Sequence, residues 1–352
     1  MKSILKKVIT ICLTATLVFQ LCGCGMGKYA DLDENKLLIV TTLFPQYDFA
    51  RQIAGDKAEV VLLLSPGVES HDFEPTPTDI ILINKADLFI YTGNEMEPWV
   101  ENILESLDNS NLNVLDVSEG IELICEEENH EHNHVHEEES VDDDEHNDMH
   151  VHDESEEVNG ENIIFGETDH SEHDHSHTAD PHIWTSPVNA MKMVENIENA
   201  LVELDENNKE LYHEKAHEYI NELLKVDSEF RDIVSNADNN TIFFGGRFAL
   251  SYFAHEYGLN YAAAFDSCQA ESEPSARLIV KIIEKMRQTG VKYVFYEEMT
   301  DPKAARIIAE EIGGEILLLH SCHNVSKAEM ESCVTYLSLM KQNVNNLRCA
   351  LQ

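Results

Sequence analysis

Basic residues are scarce in this chain of 352 residues. It has 24 Lys and Arg against 67 Asp and Glu, which gives a formal net charge of −43 at neutral pH. The phosphates of DNA and RNA repel such a surface, so the composition argues against nucleic acid as a partner. The negative charge is unevenly distributed along the chain, because residues 126–180 contain 22 acidic residues and no Lys or Arg.

A hydrophobic run of membrane-spanning length is also missing. The apolar run Val8–Phe19 follows three lysines and is shorter than the roughly 20 residues of a membrane helix, so it indicates a secretion signal. It ends in Leu21–Cys24, which resembles a bacterial lipobox; an ordinary signal peptide with incidental cysteines is the alternative. We expect a signal peptide over 1–23 and lipid on Cys24, which would hold the protein at the outer face of the cytoplasmic membrane.

An even set of cysteines for a disulfide framework is absent from the expected mature chain. The residues that remain beside the lipidated one are Cys125, Cys268, Cys322, Cys333 and Cys349. Five is an odd number, so the sequence does not imply a closed network of disulfides.

Short β-branched runs alternate with helical patterns of about ten residues on both sides of the acidic segment. This alternation predicts parallel βαβ units and therefore two α/β lobes, with a long C-terminal helix from about Ser326. Between the lobes, apolar residues recur at steps of three and four from Tyr212 to Phe230, which predicts a rigid connecting helix. The predicted segments are a tether over 24–36, an N-terminal lobe over 37–187, linker helices over 188–237 and a C-terminal lobe over 238–352.

An insertion over residues 126–179 interrupts the N-terminal lobe. It has no apolar periodicity and cannot bury enough surface to offset the entropy of ordering, so we expect it to be disordered. It contains 11 of the 18 histidines: His130, His132, His134, His136, His146, His150, His152, His170, His173, His175 and His177. Without a scaffold to fix geometry, these side chains would bind many metal ions weakly. A tethered metal collector or sensor fits this pattern; a solvated linker is the alternative.

Candidate ligand-binding residues follow the predicted strands, because open parallel sheets bind ligands beyond the carboxyl ends of their strands. These residues, with the histidine that follows the insertion, are His71, His182, Arg247, Asp266, Cys268, Glu297, His320, Cys322 and His323. Imidazoles from both lobes could meet in an interlobe cleft. Neutral imidazole suits Zn²⁺, Cu²⁺ and Ni²⁺, and three imidazoles with an open fourth position also suit catalytic zinc.

The linker pattern contains a second motif, HEKAH, from His213 to His217. It matches the H-E-x-x-H pattern of metalloproteases. The metzincin extension fails, because Ile220 and Leu223 stand where Gly and His are needed. Both histidines lie beside the buried stripe, among Glu and Lys. We interpret the motif as a chance match on a solvated helix face.

Several segments together resemble a known family. SPGVESHDFEPTPTDIILINKADLFIYTGNEMEPWVENIL, DPHIWTSP, EPSARLIVKIIEKMRQTGVKYVFYEE and DPKAARIIAEEIGG are similar to the solute-binding lipoproteins of zinc and manganese ABC importers, known as the cluster A-I family. The resemblance covers roughly residues 37–319. It implies two α/β lobes joined by a long helix, one metal ion in the cleft, and delivery of that ion to an ABC permease. Zinc members of the family carry a His-rich acidic insertion at this place. We expect a monomer.

The family's ligands can be carried over one by one. The first two histidines fall on His71 and His182, the third ligand, His or Glu in the family, on Arg247, and the fourth, Asp in the family, on His320. Arginine cannot ligate a metal, because its guanidinium stays protonated. The simplest reading is a zinc site of His71, His182 and His320, completed by water or a nearby group. The candidates for that group are Glu297, Cys268, Cys322 and His323.

Other readings of the site remain open. Arg247 could bind an anion on a chelated metal, or free-ion binding could be lost. Mn²⁺ fits less well than Zn²⁺, because charged oxygen ligands are missing. Near a dication, Arg247 should either turn away or pair with a carboxylate; as the partner we expect Glu297, in a bidentate contact, or else Asp266. Cys268 and Cys322 should face the cleft rim, as a disulfide or with one thiolate on zinc. The rival functions are a secreted zinc hydrolase and a metal-buffering or adhesive surface lipoprotein.

Overall fold

The computed structural model describes residues 32–33, 35–69, 73–124, 163–164, 179–266 and 274–352, with only the backbone at 163–164 and at Asp266. His71, Cys268 and the 11 histidines of the insertion lie outside the described residues. Within the described parts of the chain, no helix is both long and apolar enough to cross a membrane.

A parallel four-stranded sheet forms the N-terminal lobe. Its strands are β1 (Leu37–Thr41), β2 (Ala58–Leu62), β3 (Leu88–Tyr91) and β4 (Asn113–Asp116). Its helices are α1 (Phe44–Ala54), α2 (Pro77–Ile83) and α3 (Val100–Leu104). The strand order is β2-β1-β3-β4. Thr76 starts α2 by a capping box, in which its side chain accepts from the Asp79 N–H and the Asp79 carboxylate accepts from the Thr76 N–H.

The C-terminal lobe repeats this architecture. One further strand, β5 (Ile163–Ile164), lies within the insertion. The strands of the C-terminal lobe are β6 (Thr241–Phe243), β7 (Arg247–Phe248), β8 (Asn260–Ala263), β9 (Phe265–Asp266), β10 (Tyr293–Tyr296) and β11 (Glu315–Leu318). The order β5-β8-β6 continues to the β10-β11 pair through a parallel bridge between Phe244 and Phe295. All the named strand pairs are parallel, as the alternating sequence pattern predicts.

Two long helices precede this lobe and three shorter ones belong to it, and two more end the chain. They are α4 (Pro187–Leu204), α5 (Lys209–Ser235), α6 (Ser251–Tyr257), α7 (Ala276–Thr289), α8 (Lys303–Ile312), α9 (Lys327–Glu331) and α10 (Tyr336–Leu351). The predicted stripe of α5 is buried, from Tyr212 to Phe230. One hydrophobic cluster joins Phe49 of the first lobe, Phe230 of α5 and Phe244 of the second lobe. The linker helices therefore share a core with both lobes.

Two features differ from the sequence predictions. The single C-terminal helix is wrong, because α9 and α10 are separate; Cys333 between them has a left-handed φ of 58°, and Thr335 caps the start of α10. The prediction that the insertion lacks regular structure throughout is wrong at one place. There, β5 pairs with Ala262 and Ala263 of β8, where two β-branched isoleucines favour an extended chain.

Candidate metal site

The carboxyl ends of strands from both lobes meet around the loop that follows β11, residues 319–325. In this loop the Val325 carbonyl accepts a hydrogen bond from the Gly67 N–H of the N-terminal lobe at 2.9 Å. The Ser321 carbonyl accepts from the Trp184 indole N–H, also at 2.9 Å. These contacts fix the last loop of one lobe against two segments of the other, as the strand-end argument predicts.

His182 is held by the carboxylate that lies two residues before it. It is 1% exposed, and both its backbone N–H and its Nδ1 lie 2.8 Å from Oδ1 of Asp180. A carboxylate can only accept, so Nδ1 carries a proton, and in the neutral form of the ring the lone pair is on Nε2. Burial works to raise the pKa of Asp180, but the hydrogen bonds and charge of His182 outweigh it, so this pKa lies below its ordinary value. The pair has the carboxylate–histidine form that orients metal-binding imidazoles.

Arg247 is positioned by a close approach between β6 and α8. A Cβ on Gly245 would lie 2.7 Å from the backbone of Ala305, so only glycine lets the end of β6 pass so near to α8. The Gly245 N–H donates to the Phe295 carbonyl at 3.1 Å, which ties this turn to β10. Arg247 follows two residues later and enters the site.

Two carboxylates surround the Arg247 guanidinium, which is 14% exposed. Its Nε lies 3.2 Å from Glu297 Oε2, and its Nη2 lies 3.5 Å from Glu69 Oε2. Burial works to lower the pKa of Arg247, but the two carboxylates outweigh it and raise this pKa. Burial also raises the pKa of Glu297, and the Arg247 charge offsets only part of that effect. The predicted pairing with Glu297 is confirmed. The contact is not bidentate, because the other Glu297 oxygen accepts from the Ala249 N–H at 3.0 Å.

His323 faces the same carboxylates from the opposite side. Its Nδ1 lies 2.9 Å from Ser321 Oγ, which in turn lies 2.7 Å from Glu298 Oε1. Since the serine hydroxyl donates to the carboxylate, it accepts from Nδ1–H, and Nε2 of the neutral ring bears the lone pair. That Nε2 is buried, has no hydrogen-bond partner among the described residues, and lies 3.8 Å from Glu69 Oε1. Burial works to lower the pKa of His323, but Glu298 and Glu69 outweigh it and raise this pKa.

His320 occupies a different environment, although only three positions separate it from His323. Its backbone N–H and carbonyl bond to the Asn343 side chain at 2.8 Å each, and its Nδ1 accepts from the Cys322 N–H at 2.9 Å. Its Nδ1 also lies 3.3 Å from Glu298, while its Nε2 lies 3.9 Å from Glu329, the residue of the α9 capping box. Among the described contacts, none joins His320 to Glu69 or Arg247. His320 thus lies on the α9 and α10 side of the loop.

The cysteine between these histidines does not line the cleft. Cys322 is fully buried, belongs to the main hydrophobic cluster, and has its Sγ 3.7 Å from the His320 carbonyl. Burial raises the pKa of its thiol well above the ordinary value, which keeps it protonated. The prediction that Cys322 faces the cleft rim is therefore wrong. Its pairing with Cys268 involves a residue outside the described ones.

In its described part, the site is a cluster of side chains with opposite charges. Several residues of this cluster were not identified from the sequence. Glu69, Asp180, Glu298 and Ser321 were not singled out. Each lies within two residues of a chosen position, which is the signal that could have found them. Within the described ranges, no group of three or more His, Cys, Asp or Glu side chains already stands where it could hold a metal ion. The first expected ligand, His71, lies in the undescribed stretch directly after Glu69.

Two parallel α/β lobes that share linker helices and meet at a cleft bearing buried histidines define a solute-binding protein. A family model described as ZnuA, the periplasmic component A of a zinc-uptake complex, matches residues 39–350. The chain is 35% identical over 337 residues to the high-affinity zinc uptake system protein ZnuA of Bacillus subtilis, covering 95% of this chain and 94% of that protein. It is 30% identical to the zinc-binding protein AdcA of Streptococcus pyogenes, covering 98% of this chain but 61% of AdcA.

Solved structures agree with these relatives. The metal-dependent lipoprotein YcdH of Bacillus subtilis superposes with a TM-score of 0.69 at 31% identity, over 90% of this chain and 99% of that one. The Zn(II)-bound ZnuA-like domain of Streptococcus pneumoniae AdcA gives 0.67 at 26% identity, over 90% and 99%.

The chain belongs to the ZnuA family of zinc-binding proteins. It is the extracytoplasmic zinc-binding component of an ABC uptake system and not an enzyme. The resemblance, the fold class and the preference for zinc that the sequence predicts are confirmed. The hydrolase alternative is excluded with them.

Proposed function

We propose that this protein captures Zn²⁺ in the interlobe cleft through the imidazoles of His71, His182 and His323. The last of these takes the place that the sequence comparison gave to His320. Glu69 and a water molecule are the remaining oxygen donors within reach. Three neutral imidazoles with one open position match the coordination preference of zinc.

One observation carries this choice of ligand: of two histidines whose buried Nε2 atoms both lack a hydrogen-bond partner among the described residues, only His323 has its Nδ1 hydrogen-bonded so that the lone pair lies on Nε2. A buried polar atom without a partner among the described residues costs about 1–3 kcal/mol, and a bound cation removes that cost. On the other side of the His323 imidazole, Ser321 Oγ accepts from Nδ1–H and donates to Glu298. This arrangement fixes the tautomer of a metal-binding histidine. His182 has the equivalent support from Asp180. His320 has its Nδ1 occupied by the Cys322 N–H, so its neutral ring carries the proton on Nε2 and offers no lone pair there.

Arg247 serves in this proposal as the resident counter-ion of the zinc-free cleft. Its guanidinium contacts the carboxylates of both Glu69 and Glu297. Two unit charges 4 Å apart interact by about 4 kcal/mol at an effective dielectric near 20, and a dication doubles this repulsion. Arg247 must therefore move away from Glu69 when zinc enters. Its guanidinium then either keeps its contact with Glu297 or turns into solvent.

The test compares two histidines of the same loop. His323→Ala should weaken the tight zinc site by at least about two orders of magnitude, since it removes a ligand. His320→Ala should leave that affinity within about threefold of the parent and act mainly on stability, because it removes a buried ring and the acceptor of the Cys322 N–H. Both are measured by competition with a zinc chelator of known affinity, which reports the tightest site and ignores weak ones.

The control is His255→Ala, which changes an exposed histidine on α6. Melting temperatures of the zinc-free variants show whether each one is folded. The opposite ranking, with His320→Ala losing the tight site and His323→Ala keeping it, would return the ligand to the position first expected from sequence. Equal zinc affinities in His323→Ala, His320→Ala and His255→Ala would mean that neither histidine of this loop is a ligand of the tight site.

We further propose how the protein is supplied and anchored. The acidic insertion, with its 11 histidines, collects zinc at many weak sites close to the cleft. Lipid on Cys24 holds the protein beside the permease of its importer, to which it delivers the ion as a monomer. Incorporation of labelled fatty acid into the parent, and its absence in Cys24→Ser, would test the anchor; labelling of both forms would contradict it.

A further inference from the structure

The HEKAH motif, which the cleft does not use, lies on the exposed face of α5. Glu210, His213, Glu214 and His217 are all exposed and stand at steps of three, one and three residues. These positions share one helix face, because residues three and four apart are neighbours on a helix. The buried stripe runs along the other side, from Tyr212 onward.

Two carboxylates of α4 face this surface across a shallow groove. The groove is lined by Glu195, Glu198, Glu210, His213, Glu214 and His217, with Ile220 at one end. It thus contains four carboxylates and two imidazoles. The ammonium of Lys192 lies 3.5 Å from Glu195 but is not among the residues that line the groove. The field inside the groove therefore favours a cation.

One ring in the groove is already oriented. His213 Nδ1 is hydrogen-bonded to Oε1 of Glu198, which is only 16% exposed. Since a carboxylate accepts, Nδ1 donates, and Nε2 of the neutral ring bears the lone pair. Holding one ring nitrogen by a carboxylate is how proteins direct the other nitrogen to a metal. His217 stands one turn further along the same face.

We propose that His213 and His217 chelate a divalent transition-metal ion, Zn²⁺ above all, at a second site on the linker helices. Glu198 orients His213 from α4, and Glu214 or Glu210 can add an oxygen ligand. Two imidazoles spaced by four residues on a helix present their nitrogens to one ion, which is the physical content of the H-E-x-x-H spacing. None of these residues belongs to the cleft or to the sequence of the acidic insertion.

The site has to assemble from exposed side chains. In the described part of the chain, no three metal-binding side chains are gathered in advance. The site should therefore bind more weakly than the cleft, because ordering the rotamers of His217 and the glutamates opposes binding. It would fill when free zinc rises into the micromolar range, after the cleft is saturated.

The test measures the chemical reactivity of each histidine separately in the full-length protein. Free Zn²⁺ is set by a metal buffer, so zinc held by the insertion does not change the concentration that the groove meets. Histidines are then modified with diethyl pyrocarbonate, and the labelling rate of each is obtained by peptide mass spectrometry. At free zinc ten times the midpoint, His213 and His217 should be labelled about tenfold more slowly, by mass action. The exposed His255 on α6 should be labelled at an unchanged rate.

His217→Gln is the matched variant, since it removes one ligand from an exposed position and leaves the Glu198 contact intact. In this variant, zinc should no longer protect His213, because a single imidazole holds the ion too weakly. Equal labelling of His213 and His217 with and without zinc would overturn the proposal. Protection of His213 that survives in His217→Gln would overturn it too, because zinc would then act from elsewhere.

Discussion

Replacing Arg247 by histidine should tighten zinc binding. The substitution removes a fixed positive charge from the cleft and supplies an imidazole at the position where the family has a ligand. Arg247 is held by a charge-assisted hydrogen bond to Glu297 at 3.2 Å and a longer contact to Glu69 at 3.5 Å. A hydrogen bond to a charged group contributes about 1.5–3 kcal/mol net, and this is the cost of displacing the arginine when zinc enters. That cost corresponds to about 10- to 150-fold in affinity.

The partner variant separates charge from coordination. Arg247→Ala also removes the displacement cost, but it leaves Glu297 without its counter-ion. Burial already raises the pKa of Glu297, so without Arg247 this carboxyl would take up a proton that zinc must then displace. Arg247→His loses the same counter-ion but adds an imidazole ligand, so its gain should be the larger of the two, at least about tenfold over the parent.

Chelator competition measures both variants against the parent. Arg231→His is the matched control, because Arg231 is half exposed on α5 and pairs with Asp227 at 3.0 Å, away from the cleft. Weaker zinc binding in both Arg247 variants would refute the counter-ion argument. Arginine would then contact the cargo directly, and the cargo would carry negative charge, as a metal chelate does. Unchanged affinity in both would mean that Arg247 lies outside the reach of the zinc charge.

Three further predictions concern the support of His182, a buried carboxyl of the N-terminal lobe and the acidic insertion. Asp180→Asn removes the charge behind His182 and should weaken the tight zinc site about 10- to 100-fold in the same competition assay, whereas unchanged affinity would contradict that support. Burial raises the pKa of Glu97 from 4.5 to about 8, so the folded protein keeps a proton that the unfolded chain releases, and stability falls as pH rises between these values. Glu97→Gln, which keeps the shape of the protonated acid beside Thr42, should raise the melting temperature more at about pH 9 than at about pH 5; the reverse order would count against it. Deletion of residues 126–177 should remove several weak zinc sites in a titration and keep one tight site, and loss of the tight site would mean that the insertion supplies a ligand.

The architecture was predictable because it rests on short-range periodicities. Alternating strand and helix patterns predicted two parallel lobes, and the stripe from Tyr212 to Phe230 predicted a buried helix. Strand ends also located Arg247 and Glu297, since a parallel sheet gathers its carboxyl ends at one edge. The partner of Arg247 followed from charge alone, because a buried guanidinium needs a carboxylate.

The choice between the two histidines after β11 was not predictable in this way. His320 and His323 both follow the strand, and which one enters the cleft depends on how the chain turns between them. Cys322 has a left-handed φ of 65°, which non-glycine residues seldom adopt, and this reversal directs the two rings to different sides of the loop. The support of His323 by Ser321 and Glu298 depends on the same turn, so it too was hidden in the sequence.

A resident arginine in the zinc cleft bears on release as well as capture. Its guanidinium neutralises Glu69 and Glu297, so these carboxylates are not left uncompensated. When zinc is bound, the displaced guanidinium can return to these carboxylates only as the ion leaves, which lowers the barrier to dissociation and the affinity together. An importer's binding protein must hold its ion firmly enough to collect it and loosely enough to pass it on. On the proposed function, a competing cation in place of a ligand would move the balance toward delivery, and an insertion that collects zinc would offset the affinity that is given up.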